Sequence, residues 1–521
     1  MHWRRNDERI FMKLKKIKLV DFRGYHDPIC VEFDNLTAFL GKNDIGKSTI
    51  LEALDIFFNE GKGAVKFDAG DIYRGADECS ITLCFTELPE TIVLDSANST
   101  SLSDEYMLNE DNELEIIKKY KRSGSPKVYL RAMHPNNENC SGLLLKKNTD
   151  LKTIIRQESI TCDDQTRNAS MRSAIWNHYQ DELNLQITEI DASKEDAKKI
   201  WEKIVPYLPS YSLFQADRKN SDTDNEVQDP LKEAVKQILS DPEIQEKLNA
   251  IAEIVETKLQ EVSTRTLDKL REMDSSIANS LNPVIPSSTS LKWQDVFKNV
   301  SITSDDDIPI NKRGSGVKRM ILLNFFRAEV ERRTEGSMNT GIIYAIEEPE
   351  TAQHTANQRI LIESLKQLSN IENTQVIITT HSAFLVKQLQ FSQLRLITAS
   401  DSTKEVASVE PNQLSYPSLN EVNYLAFGEL SEEYHDELWA HIEENGWKTA
   451  YFDGKPRIPY NKIMRNGTVN QIQITLTEFI RHQIHHPENT NNPRFTRNDL
   501  EISTNMMRQF ISQMIPTEGE E

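Results

Sequence analysis

The sequence predicts an α/β protein built around a phosphate-binding loop, with an inserted α+β and helical-arm region and a C-terminal, mainly helical domain. A glycine-rich loop follows an apolar strand and precedes a helix. Two short apolar runs, at 341–346 and 375–379, have the unbroken hydrophobic pattern of strands in a covered parallel sheet. From Leu231 to Leu281, apolar residues recur at helical spacing, interrupted at Pro242. This segment is either a projecting arm, which we favour, or a buried helix pair.

Composition limits the classes of protein that fit. The 521 residues are enough for two to four domains, and 81 acidic against 61 basic residues give a net charge of −20. No apolar run approaches the ~20 residues of a membrane span, so we expect no membrane partner. Five irregularly spaced cysteines without a CxxC pair favour a reducing, cytoplasmic location. On so acidic a chain, nucleic-acid contact requires a local basic patch.

Alternation of apolar and polar residues predicts the elements before the loop and after it. Along the chain we expect strands at 13–24 and 29–40, a helix at 48–58, a strand at 79–88, and a hairpin at 114–133. Residues 92–205 are polar and mixed in pattern, which is typical of an insertion. Residues 1–11 are either an upstream start or a disordered tail, and we assign them no role.

The glycine-rich loop is a complete GxxxxGK[ST] motif. In such a loop the backbone amides point at phosphate, the lysine reaches the β and γ phosphates, the hydroxyl coordinates Mg²⁺, and the helix adds its positive end. The motif therefore predicts a nucleotide site with Mg²⁺, in which Lys47 is catalytic and Ser48 is a metal ligand. The residues expected at the nucleotide are Gly41, Lys42, Asn43, Asp44, Ile45, Gly46, Lys47, Ser48 and Thr49.

Three further segments supply groups that an NTPase needs. Glu347 and Glu348 end an apolar strand, where one carboxylate can bind Mg²⁺ and the other can activate water. His381 follows the next apolar strand, and Ser315 with Gly316 precedes a helical run, where a hydroxyl and amides can bind phosphate. Each segment also has a simpler interpretation. The two glutamates are then a common acidic strand end, His381 is a core histidine, and Ser315 with Gly316 is a turn.

The order of these motifs resembles ABC-superfamily ATPases of the SMC, RecF and OLD type, the AAA15 group. KIKLVDFRGY resembles their opening strand, which implies that Arg23 lies near the phosphates. GSGVKR resembles the ABC signature, so Ser315 and Gly316 would act on ATP of the partner subunit. EEPETAQH is similar to the OLD stretch EEPExxLHP, which implies Glu347 on Mg²⁺ and Glu348 as base.

The same resemblance implies an ABC-type P-loop ATPase head, a switch role for His381, and ATP sandwiched in a homo-oligomer of at least two subunits. Two departures are visible: Glu347 replaces the usual aspartate, and Thr355 stands where proline is common. A Q-loop glutamine is not evident; Gln215 is a candidate, as are Asp217 and Arg218 beside it.

The resemblance divides the chain into successive regions. They are 1–11 as the tail, 12–91 as the ATPase N-terminal lobe, 92–205 as the mixed insertion, 206–225 as the return to the core, 226–285 as the helical arm, 286–400 as the C-terminal lobe, and 401–521 as an accessory or interaction domain.

Beyond residue 400 the sequence contains no Asp-x-Asp, which the Toprim nuclease domain of OLD proteins requires. The overall plan is most similar to the PtuA ATPases of Septu antiphage systems, which work with a separate HNH nuclease. This resemblance implies an ATPase that controls an effector nuclease in phage defence, with nucleic acid or a phage product as a possible trigger. A DNA-repair ATPase of the RecF/SMC kind is the main alternative.

A second alternative is an ATP-controlled ribonuclease toxin. Arg481, His482 and His486 match R[NHD]xxxH, the pattern of HEPN ribonucleases, although a basic helix end that stops at Pro487 explains the same residues and is favoured.

Two other surface groups each have a structural and a functional interpretation. Tyr434 and Trp439 are possible partner anchors. A basic cluster on the expected hairpin is a solvated face or a nucleic-acid contact, and it comprises Lys118, Lys119, Lys121, Arg122, Lys127 and Arg131.

Overall fold

A computed structural model describes most of the chain, in two compact units. The first unit contains residues 1–37 and 48–379, and the second contains residues 38–47 and 380–521. The described residues are 12–95, 98–215, 241–273, 341–351, 353–400, 403–409, 418–464 and 467–514, with single positions at 235, 238, 239, 324, 326, 328 and 414. Ser315, Gly316, Asp217 and Arg218 lie outside them.

Strands and helices alternate over the described residues. The strands are β1 Lys13–Val20, β2 Ile29–Glu32, β3 Leu36–Leu40, β4 Glu78–Thr86, β5 Ile92–Asp95, β6 Asn98–Thr100, β7 Leu114–Lys121, β8 Lys127–Pro135, β9 Leu185–Asp191, β10 Ser210–Phe214, β11 Ile342–Glu347, β12 Thr374–Thr380, β13 Leu394–Ser400, β14 Thr403–Ser408, β15 Arg457–Ile463 and β16 Val469–Thr475. The α-helices are α1 Lys47–Asn59, α2 Asn148–Gln157, α3 Asn168–His178, α4 Glu195–Ile204, α5 Pro242–Met273, α6 Thr355–Ser369, α7 Ala383–Val386, α8 Leu419–Phe427, α9 Glu432–Glu444, α10 Lys448–Phe452, α11 Leu476–His485 and α12 Arg497–Met514.

The first unit contains an antiparallel sheet in the order β2-β1-β4-β7-β8-β9. The expected hairpin at 114–133 is confirmed as β7 and β8, which pair from Glu115↔Arg131 to Lys119↔Lys127. Because β7, β8 and β9 continue the sheet begun by β1 and β4, the mixed segment 92–205 supplies half of its six strands.

Two expected strands are shorter than the sequence pattern indicated. The single strand expected at 29–40 is wrong: β2 pairs with β1, whereas β3 pairs with β13. A turn separates them, in which the Asp34 amide donates to the Thr37 hydroxyl at 3.0 Å. The strand expected at 13–24 ends at Val20 because Asp21 and Arg23 adopt left-handed backbone, with φ of 54° and 50°.

Three parallel strands, β10, β11 and β12, lie side by side in the first unit. All residues of β11 and β12 are buried, which confirms the prediction from the unbroken apolar runs. The Gln375 side chain joins this layer to β1, since it accepts from the Leu14 amide and donates to the Leu14 carbonyl, both at 2.9 Å.

The helical periodicity expected from 231 to 281 is confirmed over 242–273, where α5 runs without interruption. Pro242 begins this helix instead of breaking it, because proline lacks only an amide that the first turn leaves unbonded. Asp241 accepts from the amides of Glu243 and Ile244 at that end.

The second unit contains helices α7 to α12 and the antiparallel hairpin β15–β16. The helical character expected past residue 400 is confirmed, but the hairpin was not expected. Tyr434 and Trp439 are buried in the core of this unit, with 0% and 5% of their surface exposed, so the proposal that they anchor a partner is wrong. Among the residues that the structure describes, no helix combines the length and hydropathy that crossing a membrane requires.

Candidate nucleotide site

The phosphate loop lies between the buried strand β3 and helix α1, as predicted. Its backbone needs glycine at both ends: φ is +147° at Gly41 and +114° at Gly46. A Cβ at Gly41 would lie 2.9 Å from the Ile397 carbonyl oxygen and 3.0 Å from Ile45 Cγ2. The loop is therefore tight where the chain leaves the sheet, and Lys42, Asn43 and Asp44 are exposed.

The Lys47 side chain turns back toward the start of the phosphate loop. Only 5% of its surface is exposed, and its Nζ donates to the carbonyls of Gly41 at 2.8 Å and Lys42 at 2.9 Å. A buried ammonium requires such partners because desolvation is costly. The ammonium is thus held at the loop itself, which is where the lysine of this motif meets phosphate.

Ser48 and Thr49 occupy the first turn of α1. Ser48 is exposed and Thr49 is half-buried. The first turn of a helix presents amides without intrahelical acceptors, and its positive end favours anions. Its geometry therefore suits phosphate, with the Ser48 hydroxyl available to a cation.

Arg23 forms an ion-pair group that sequence reasoning identified only in part. Its Nε donates to Asp71 Oδ1 at 2.7 Å, and its Nη1 donates to Glu52 Oε2. Burial opposes the charge on Arg23, but Glu52 and Asp71 outweigh it and hold the pKa of the guanidinium above its usual value. Glu52 lies four residues after Ser48, so both side chains share one face of α1.

Gln215, the Q-loop candidate, belongs to the same group. It follows β10, is 6% exposed, and its Nε2 donates to Glu52 Oε1 at 3.2 Å. Glu52 therefore joins Arg23 to Gln215 through its two carboxylate oxygens. The sequence pattern of α1 gave no sign of this role, because Glu52 also fits a helix that needs one polar face.

Glu347 and Glu348 lie at the carboxyl end of β11, as expected. Glu347 is 8% exposed, and Glu348 is half-buried with a left-handed φ of +40°. The Glu348 amide donates to the carbonyl oxygen of Thr379 at 3.0 Å and to its hydroxyl at 3.2 Å. A non-glycine residue in this conformation carries roughly 1–2 kcal/mol of strain, and such strain is common at functional sites.

Tyr211 connects the acidic groups of α1 and β11 electrostatically. Its hydroxyl donates to the Leu51 carbonyl at 2.6 Å. Burial raises the pKa of Tyr211 well above its usual value, and the negative charges of Asp55, Glu347 and Glu52 raise it further. Carboxylates from both elements therefore act on one buried hydroxyl within the first unit.

The residues fit a nucleotide-bound Mg²⁺. Within the described ranges, no three His, Cys, Asp or Glu side chains form a metal cluster. Mg²⁺ bound to a nucleotide takes only one or two protein ligands and otherwise uses water and phosphate oxygens. The exposed Ser48 hydroxyl and the Glu347 carboxylate would supply such a pair of ligands. When bound, the ion would neutralise phosphate charge.

His381 is exposed between the end of β12 and α7. The turn around it is fixed by Ser382, whose amide donates to the Thr380 hydroxyl at 3.0 Å and whose own hydroxyl caps α7 at the Leu385 amide. The switch role of His381 stays a prediction.

The structure brings the two histidines of the RHxxxH pattern near the C-terminus together, with ring centroids 6.2 Å apart, and gives Arg481 other partners. Arg481 lies 4.6 Å from the Trp439 ring centroid and donates to Glu443 at 3.3 Å. His482 stacks on Tyr460 at 5.1 Å, and His486 contacts Glu488. The two imidazoles thus lie beside each other, whereas the guanidinium contacts Trp439 and Glu443, and the ribonuclease role of these residues stays a prediction.

Most side chains of the basic cluster on β7 and β8 form ion pairs with carboxylates or hydrogen bonds with backbone carbonyls. Lys118 is 3% exposed and donates to Glu60 at 2.6 Å and to the Phe57 carbonyl at 2.9 Å. The other contacts are Lys119–Glu189, Lys121–Glu78, Arg131–Glu115, and Arg122 with the Ala76 carbonyl. The charge that this face presents is therefore smaller than the sequence suggested.

The AAA ATPase domain profile, AAA_15, matches residues 12–386, so the chain belongs to this family of ATPase domains. Among curated proteins, Endonuclease GajA of Bacillus cereus (strain HuB5-5) is 23% identical over 439 residues, which are 76% of this chain and 60% of that protein. The chain thus spans less than two thirds of that relative's length.

Solved SMC heads are also similar to the chain. An SMC head bound to the C-winged helix domain of ScpA is 15% identical, with a TM-score of 0.36 over 76% of this chain and 97% of that one. An SMC head domain from Thermotoga maritima is 14% identical, with a TM-score of 0.31 over 77% and 100%. With scores this low, the similarity carries no functional conclusion.

Proposed function

We propose that the chain binds MgATP between subunits of a homo-oligomer, hydrolyses it, and thereby controls a separate effector nuclease of the HNH type in antiphage defence in the cytoplasm. The observation that carries this proposal is the phosphate loop, in which Lys47 lies on the carbonyls of Gly41 and Lys42 directly before the exposed Ser48. Membership of the AAA ATPase domain family supports the same chemistry.

Each residue has one role in this proposal. Lys47 and the loop amides bind the phosphates, and Ser48 with Glu347 holds the ion. Glu348 orients the attacking water. His381 senses the γ phosphate, and Arg23 lies at the phosphates. Ser315 and Gly316 complete the site from a second subunit, as in the ATPases that the motif order resembles.

Two features support the proposal of a separate effector. The curated relative is named as an endonuclease. Beyond residue 400, the sequence has no Asp-x-Asp for a Toprim metal site. We therefore propose that the nuclease chemistry belongs to a partner, with the Septu systems as the nearest arrangement.

The test compares the wild-type chain with Lys47→Ala and Glu348→Gln. Lys47→Ala is expected to lose ATP binding. Glu348→Gln is expected to bind ATP and to hydrolyse it at least ~100-fold more slowly, because a general base contributes about 10²–10⁴ in rate. Glu363→Gln, on an exposed position of α6, is the matched control and should hydrolyse ATP like the wild type.

Mass measurement with MgATP and identification of co-purifying proteins test the remaining parts. A multimer stabilised in Glu348→Gln and carrying a nuclease would support the proposal. A chain that stays monomeric with ATP would contradict the shared site, and unchanged hydrolysis in both variants would contradict the assigned chemistry. A chain that co-purifies with no nuclease, and whose DNA affinity depends on bound ATP, would favour the DNA-repair alternative.

A further inference from the structure

The hairpin β15–β16 differs in charge from the rest of the chain. Between Asp453 and Glu478 the sequence contains four basic residues and no carboxylate, although the whole chain carries −20. The Lys455 ammonium nitrogen lies 4.3 Å from the Tyr451 ring centroid, whereas Arg457 and Lys462 are exposed. The hairpin is therefore a local cationic surface on an acidic protein.

The two ends of the hairpin differ in burial. At its base, Ile474 and Tyr460 are buried with Phe479 and Leu500, and Ile472 packs against them. Past Tyr460 the strands project from this core. Exposed residues occupy both faces there, including three large apolar side chains: Ile463 at 42%, Met464 at 40% and Val469 at 48%.

The base of the hairpin is held firmly. The Asn461 amide donates to Asn492 Oδ1 at 2.8 Å, and the Asn461 carbonyl accepts from Asn489 and Asn492. His482 stacks on Tyr460 beneath it. These contacts fix the direction in which the outer part points, which limits the ordering entropy that binding must overcome.

The outer face of the hairpin also carries amides. In the strand register, Pro459 pairs with Gln473 and Asn461 with Gln471, so both glutamines share a face with Arg457, and both are exposed. Amide side chains can contact base edges, and arginine or lysine contacts phosphate. A two-stranded antiparallel ribbon fits the major groove, and exposed apolar tips can wedge between base steps.

We propose that the hairpin β15–β16 is an arm that binds double-stranded DNA. Gln471 and Gln473 face the bases, Arg457 contacts phosphate from the same face, Lys462 contacts phosphate from the other face of β15, and the apolar tip packs against the duplex. This site is separate from the phosphate loop and does not depend on ATP hydrolysis. It gives the nucleic acid trigger of the proposed function a defined place on the chain.

The experiment measures binding of the full chain, without nucleotide, to a labelled duplex of about 30 base pairs, roughly three helical turns. With two phosphate contacts, affinity is expected to fall about 12-fold between 50 and 200 mM salt. Arg457→Gln with Lys462→Gln should lose most of this affinity and flatten the salt dependence. Lys198→Gln with Lys203→Gln, on exposed positions of α4, is the matched control and should bind like the wild type.

A tip variant separates DNA binding from general attraction to acidic molecules. Ile463→Ser with Val469→Ser should weaken duplex binding without changing the salt dependence, since no charge is removed. Three outcomes overturn the proposal. The first is that the charge variant binds the duplex as well as its control does, and the second is that polyglutamate competes as well as unlabelled duplex does. The third is that the charge or tip variant changes the oligomer mass without changing duplex binding. ATPase activity of the charge variant should equal that of the wild type, so this test is independent of the ATPase assignment.

Discussion

Replacing Gly41 by alanine tests the phosphate loop where its backbone is most constrained. Gly41 combines a φ of +147° with two close neighbours, the Ile397 carbonyl oxygen at 2.9 Å and Ile45 Cγ2 at 3.0 Å from an added Cβ. The carbonyl belongs to the backbone of β13, which is paired on both sides by β3 and β14. The loop, which has fewer such bonds, must therefore move.

The expected cost has two parts. A left-handed φ costs an alanine about 1–2 kcal/mol, and inserting a methyl group into a packed position costs about 1–3 kcal/mol. Together they give roughly 2–5 kcal/mol. If displacement of the loop disturbs phosphate contacts by about 1–2 kcal/mol, the Kd for ATP rises about 5- to 30-fold.

Titration with a fluorescent ATP analogue measures the change in Kd, and urea unfolding measures the change in stability. Gly454→Ala is the matched control: its φ is +67°, but nothing lies within 4 Å of its added Cβ. It should lose about 1 kcal/mol of stability, with ATP affinity unchanged. Gly41→Ala with wild-type affinity and wild-type stability would refute the steric argument.

Three further predictions concern charges. Arg172→Met leaves the buried Glu105 carboxylate without its cation and Asp196 with Lys199 alone, and should cost about 3–5 kcal/mol in urea unfolding; equal stability would contradict this. Burial lowers the pKa of His435 to about 3, so protonation favours the unfolded chain, and stability should fall by up to about 1.4 kcal/mol per pH unit as pH drops below about 6.5. His435→Asn should lack this part of the slope in unfolding curves measured at several pH values. Glu52→Gln removes one of the two carboxylates that hold Arg23 and, without Mg²⁺, should lower the Kd for ATP about fivefold, for about 1 kcal/mol; an unchanged or higher Kd would contradict this role.

The elements that the sequence predicted correctly are those with a local signal. The phosphate loop has fixed spacing, β11 and β12 are short apolar runs between breaks, and the β7–β8 hairpin has alternating strands around a Ser-Gly-Ser-Pro turn. In each case neighbouring residues determine the conformation. Local patterns therefore sufficed for the loop and for the two glutamates beside β11.

The features that were missed depend on residues far apart in the chain. The Glu52 carboxylate meets Arg23 from 29 residues away and Gln215 from 163 residues away. Lys118 looked like surface charge, but it is buried because Glu60 and the Phe57 carbonyl receive its ammonium. The β15–β16 hairpin did have a local signal, since Asn466-Gly467 is a strong hairpin-turn pair.

Helix α1 carries one site residue that the sequence motif predicts and one whose role depends on contacts with distant segments. Its first turn carries Ser48, which the loop motif predicts, and its second turn carries Glu52 on the same face. Glu52 binds Arg23 and Gln215, which come from two other segments of the first unit. A cation or phosphate at Ser48 therefore acts on a carboxylate one turn away that already holds a guanidinium and an amide. Because a carboxylate repels phosphate and attracts Mg²⁺, we expect the Arg23–Glu52 pair to influence whether the site prefers the free nucleotide or its magnesium complex.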